Sequence, residues 1–67
     1  MLKTVLKVDN QQELVLVFWP DNNYKFVVAS TMGKTYAIGD IINEWHWGSY
    51  HATIDTAIEE FNRRVGT

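Results

Sequence analysis

The sequence predicts an α+β domain: an antiparallel meander of four strands, or three, with one C-terminal helix packed on one sheet face. Three observations predict it. Short runs rich in β-formers are separated by polar, turn-forming clusters. Ile54, Ala57, Ile58, Phe61 and Val65 recur at the spacing of one helical stripe. Between Glu13 and Pro20 lie six consecutive apolar residues, Leu14 to Trp19. Successive strand side chains point to opposite faces, so that strand is apolar on both.

The first strand spans Leu2 to Val8 and ends at the polar turn Asp9-Asn-Gln-Gln12. The second runs from Glu13 to Trp19. Pro20-Asp-Asn-Asn23 is a turn, because Pro presets φ and Asn tolerates the left-handed region. Tyr24 to Ser30 alternates as a third strand, and Met32-Gly33-Lys34 turns again. Even-length hairpin loops pair Val8 with Glu13 and Trp19 with Tyr24. One face then collects Leu2, Leu6, Val8, Val15, Val17, Trp19, Tyr24, Phe26 and Val28, and is the aromatic face. The opposite, lysine-rimmed face collects Lys3, Val5, Lys7, Leu14, Leu16, Phe18, Lys25, Val27 and Ala29.

Thr35 to Glu44 supports two readings. Ile38, Ile41, Ile42 and Trp45 fit a short helical turn capped by Asp40, while Gly39 and Tyr36-Ala-Ile38 favour an extended or looped path. Trp45 to His51 reads as a fourth strand, with Gly48 marking a bulge or a close backbone approach. Thr53 is a fit N-cap for the helix, Asp55 and Arg63/Arg64 suit its dipole, and Gly66 stops it. The expected packing places this helix on the aromatic face, against Val15, Val17, Trp19 and Phe26.

At 67 residues the chain is one domain, 1–67. A domain near this size buries only about 60 % of its unfolded surface, so small domains commonly add disulfides, metals or oligomerisation. There is no cysteine, which excludes disulfides and thiolate metal sites. A hydrophobic content of 46 % argues against disorder, and a net charge of −2 neither repels nor imitates a polyanion. The N-terminus lacks the h-region and cleavage site of a signal peptide, and no run reaches membrane-span length. Cytoplasmic residence is the expectation.

No residue set points to catalysis, a metal or a cofactor. His46 and His51 alternate to opposite faces of a regular strand and are too few for a dedicated site. Ser49, His51 and Asp55 are triad residue types, but a triad also needs oxyanion donors in a concave site. Trp45, Trp47 and Tyr50 serve either as core or as a binding rim. Arg63 and Arg64 suit a solvated helix end better than a phosphate site. The remaining candidate surface is the lysine-rimmed face, with Lys3, Val5, Lys7, Leu14, Leu16, Phe18, Lys25 and Val27, joined by Tyr50. Large apolar patches mark interfaces. The chain therefore reads as a non-enzymatic protein-interaction module, homodimeric through that face. The alternative is a single-stranded nucleic-acid binder using the same face, since exposed aromatics with lysines suit stacked bases.

Trp47-Gly-Ser-Tyr50 followed by Ala57 and Phe61-Asn-Arg-Arg64 resembles small bacterial and phage proteins built as a strand meander plus one helix. The resemblance covers about the last third of the chain and brings no agreed activity or site. It makes a phage or mobile-element inhibitor of a host protein one concrete version of the interaction module.

Overall fold

The computed structural model describes residues 2–66. Four strands, β1 (Thr4–Asp9), β2 (Leu14–Phe18), β3 (Phe26–Ser30) and β4 (His46–His51), form one antiparallel sheet in sequence order, followed by helix α1 (Ile54–Val65) packed against it. No helix among the described residues is long and apolar enough to cross a membrane.

The first hairpin closes through Asn10–Glu13, with the Asp9 carboxylate accepting from the Gln12 N–H and Glu13 held at φ 57°. Its loop is even, but it lies one residue further along than expected, so Val8 sits opposite Val15 rather than Glu13, a shift of two that leaves the faces unchanged here. The second hairpin departs from the expected register. Phe18 faces Phe26 and the Trp19 N–H donates to the Lys25 carbonyl, which leaves the five residues Pro20–Tyr24 in the loop. Tyr24 is drawn into that loop because the Asn22 side-chain amide donates to its carbonyl. The Lys25 ammonium donates to the carbonyls of Pro20 and Asn22. An odd loop moves β3 by one residue, and a one-residue slip exchanges faces. A bulge at Leu6, between Val5 and Lys7, makes a second exchange within β1.

These two irregularities correct the expected division of faces. Leu14, Leu16 and Val28 form one core with Ala57 and Phe61, bordered by Leu6, Phe26, Ile58 and Val65. The helix therefore covers Leu14 and Leu16, not Val15, Val17 and Trp19. Those residues belong to the other core, with Val5, Val27, Ala29 and Ile42, bordered by Val8, Tyr36 and Trp45. Burying a Val, Leu, Ile or Phe side chain contributes about 1.5–3 kcal/mol, so both cores matter to a domain of this size.

The segment between Met32 and Trp45 is an irregular strap over that second face. It is neither a helix nor a strand, and its single bridge joins Ile41 to Thr4. Asp40 does not cap a helix. Its carboxylate accepts from the Ala37 N–H, and its own N–H donates to the Ala37 carbonyl, which closes a turn through Gly39 at φ 94°. Asn10 fixes the strap to the first hairpin by exchanging hydrogen bonds with the Tyr36 backbone, at 2.9 and 3.0 Å. Ile42 is the apolar plug that the strap inserts.

The helix has the expected ends. The Thr53 hydroxyl accepts from the Thr56 N–H, and Gly66 at φ 90° donates to the Arg63 carbonyl. Ala57 and Phe61 are buried, whereas Ile54 at the start of the stripe lies exposed.

Candidate functional site

The residues of the expected lysine-rimmed surface are dispersed by the register. Val5, Leu16 and Val27 are fully buried and Leu14 nearly so, with Val5 and Val27 under the strap and Leu14 and Leu16 under the helix. Phe18 stacks on Phe26 with ring centroids 5.5 Å apart. The lysines do not rim one face. The Lys3 ammonium lies 5.0 Å from the Trp19 ring centroid and 5.8 Å from that of Trp45 on the strap side. Lys7 lies 5.4 Å over Phe61 on the helix side, and Lys25 is tied into its hairpin. Among the described residues no open, contiguous sheet face remains. Of the nine residues, Tyr50 is the large apolar one that stays substantially exposed, at 46 %.

Exposed apolar side chains occur in several places, with Leu2, Ile38 and Ile41 by the strap, Tyr24 in the second hairpin and Ile54 at the helix start, and one further group, Met32, Trp47 and Tyr50, lies at one end of the sheet and along β4. Leu14, Ser30 and His46 form a row across β2, β3 and β4. Beside that row sit three non-glycine residues with positive φ, the full set among the described residues: Glu13 (57°), Met32 (53°) and Trp47 (52°). The Thr31 N–H donates to the Glu13 carbonyl at 2.9 Å, so these positions adjoin through the backbone. A left-handed conformation costs a non-glycine residue about 1–2 kcal/mol, and such positions cluster at functional sites. Met32 and Trp47 are also exposed, Trp47 at 73 %.

The geometry at Trp47 follows from the bulge in β4. Val28 pairs with Ser49 and Ser30 with His46, so Trp47 and Gly48 together oppose Ala29. Gly48 is needed for a close approach. A Cβ there would come within 3.1 Å of the Trp45 indole nitrogen and of the Tyr50 ring. Over it the Trp45 Nε1–H donates to the Tyr50 hydroxyl at 3.2 Å. Trp45 also meets Trp19 edge-on at 5.6 Å. Lys3, Trp19, Trp45 and Tyr50 thus form one continuous row. On the helix side, Arg64 Nη1 donates to the Trp47 carbonyl at 3.1 Å while its Nε binds Glu60 at 2.7 Å. Glu60 also holds Arg63, and hydrogen bonds from Arg63 and then Arg64 keep its carboxyl below the ordinary value of 4.5.

The catalytic candidates are placed as follows. Ser49 Oγ and His51 Nε2 are 2.5 Å apart on the helix side, and Asp55 makes no hydrogen bond to that imidazole. The β4 bulge brings His46 and His51 to the same face, opposite Ser30 and Phe26. Among the described residues no group of three or more His, Asp or Glu is placed to hold a metal ion. Sequence reasoning grouped Trp47 with Trp45 and Tyr50 but did not reach Met32 or Glu13. The Met32-Gly33 turn and the Gly48 bulge were the signals for that end of the sheet. Comparison with protein-family models, with curated proteins and with solved structures finds no match.

Proposed function

We propose that this chain is a non-enzymatic protein-interaction module whose contact surface is the strained sheet end and edge around Trp47, Met32 and Tyr50. The observation that supports it is Trp47: a tryptophan, 73 % exposed, held in a left-handed backbone conformation on the edge strand β4. Beyond its contact with the His46 ring, an indole this exposed adds little packing to the free chain, and its backbone conformation costs free energy there. Burial of the ring by a partner supplies binding free energy that offsets both, because tryptophan is a common interface hot spot. Met32 beside the row adds an adaptable apolar contact. The partner is a second copy, another protein, or both in turn.

A photo-crosslinking side chain at position 47 tests this, with position 59 on the outer helix face as control. Protein adducts at 47 but not at 59, whether self-adducts or with another protein, are expected. Equal labelling at both positions, or adducts to nucleic acid alone, would overturn the proposal.

The second reading is single-stranded nucleic-acid binding. The row Lys3, Trp19, Trp45 and Tyr50 favours it, since it joins a cation to stackable rings. Oligonucleotide binding that weakens steeply with added salt would select this reading.

A further inference from the structure

The two sheet edges differ in what covers them. The outer edge of β1 is paired by the strap: the Val5 N–H donates to the Asp40 carbonyl, Gly39 donates to Val5, and Ile42 donates to Lys3, at 2.8–3.0 Å. Beyond β4 no strand follows among the described residues. Exposed edges are normally blunted by lysine, proline, bulges or a covering segment. From His46 to His51 there is no Lys, Arg, Asp, Glu or Pro. The one blunting device is the bulge at Trp47-Gly48, and the helix has fastened its carbonyl through Arg64. The regular remainder, Ser49, Tyr50 and His51, pairs in unbroken register with Val28, Val27 and Phe26. Its outer side stays available.

We infer that a second copy of this chain occupies that edge, β4 against β4 in antiparallel fashion, with Tyr50 facing its own counterpart across a two-fold axis. This names the partner within the protein-interaction reading and rests on it. Two features single out the second copy. A strand that pairs with itself sets its own charges against each other, and β4 carries no formally charged Lys, Arg, Asp or Glu. The symmetric centre must fall within the unbulged stretch, and the middle of that stretch is Tyr50, a half-exposed aromatic suited to a cross-strand pair. In this register Ser49 lies opposite His51 of the other copy. The ladder is short, so the dimer forms reversibly and dissociates on dilution.

The native chain has no cysteine, which makes disulfide mapping clean. Directly opposed antiparallel residues have Cα atoms about 4.5–5.5 Å apart, inside the disulfide range. Tyr50→Cys is therefore expected to form a covalent dimer under mild oxidation. Trp47→Cys is not, although position 47 is the more exposed, because the two copies of that residue lie about 20 Å apart in this register. Tyr50 also accepts the Trp45 hydrogen bond, so a second test leaves it intact. A Ser49→Cys chain mixed with a His51→Cys chain is expected to give the mixed disulfide in preference to either self-disulfide. The wild type is expected to show a mass that rises from one chain to two with concentration in sedimentation equilibrium.

A wild type that stays monomeric at every concentration, or Trp47→Cys linking as readily as Tyr50→Cys, would overturn the inference. So would self-disulfides that match the mixed one. If position 47 captures a different protein while the wild type sediments as a monomer, the second copy is refuted and the interaction module stands. If neither occurs, both fail.

Discussion

The two faces of this sheet are covered in different ways. On the helix face, a periodic stripe with matched caps lays Ala57 and Phe61 on Leu14, Leu16 and Val28. On the strap face, an irregular segment is fixed by backbone bonds to β1, by the Asn10–Tyr36 exchange and by one deeply inserted residue, Ile42. A helix satisfies its own backbone and needs only an apolar stripe to dock. A strap must have its backbone groups paired by the sheet it covers. A two-sided apolar strand such as β2 therefore does not by itself expose a greasy surface, because the sheet edge can recruit a covering segment.

A charge on β2 is the most severe challenge to the two covers. Leu16→Asp and Val17→Asp each place a carboxylate where the native side chain has no exposure, one under each cover. An unpaired buried charge is costly enough to remove the folded state of a small domain, so both variants are expected to be unfolded by circular dichroism. A folded Leu16→Asp or Val17→Asp chain would show that one cover opens at little cost.

Truncations on each side measure the same covers more finely. Phe61→Ala is expected to lower stability by about 3–5 kcal/mol and Ile42→Ala by about 2–5, the latter nearer its lower end because a strap can settle into the space. Denaturant midpoints measure both. A larger loss at Ile42 than at Phe61 would make the strap the principal cover.

Asn10→Ala should cost about 1–2 kcal/mol and act locally, since it removes two hydrogen bonds to the Tyr36 backbone. Amide exchange should quicken at Tyr36 and Gly39 while the helix amides keep their protection. Uniform acceleration would mean that strap and helix open as one unit.

The smallest expected effect concerns pH. Glu60 has a folded carboxyl value below 4.5 because Arg63 and Arg64 bond to its charged form. A depressed carboxylate contributes stability that is present above its unfolded value and lost as pH falls through the folded one. Stability should therefore decline below about pH 4.5, and Glu60→Gln should flatten that part of the curve. An unchanged acid limb would show that this pair of contacts adds nothing, as for many surface ion pairs.

How much of this was legible in the sequence depends on whether the signal is local. The helix, its caps, the four strands in meander order and the Gly48 irregularity follow from periodicity and turn chemistry within a few residues. The assignment of faces does not. It turned on Tyr24 entering a loop through the Asn22 amide and on Leu6 bulging out of β1, and each displaces a strand by one residue. The strap was equally hidden, because its order comes from residues far along the chain: Asn10, Lys3 and Val5. The dispersal of the lysine-rimmed surface follows directly from those displacements. Tyr50 stayed accessible because β4 is an edge strand, and that position did not depend on the register.

The aromatic row also makes the protein its own optical gauge. Its three tryptophans sit in distinct surroundings: Trp19 beneath the Lys3 ammonium, Trp45 hydrogen-bonded to Tyr50, and Trp47 in water. Emission from Trp47 lies at the red end and is the first reached by a collisional quencher, while Trp19 and Trp45 emit from the boundary of the strap. Loosening of the strap and engagement of the sheet end thus shift the spectrum in opposite directions, one to the red and one to the blue. The two events can be followed separately in a single unlabelled sample.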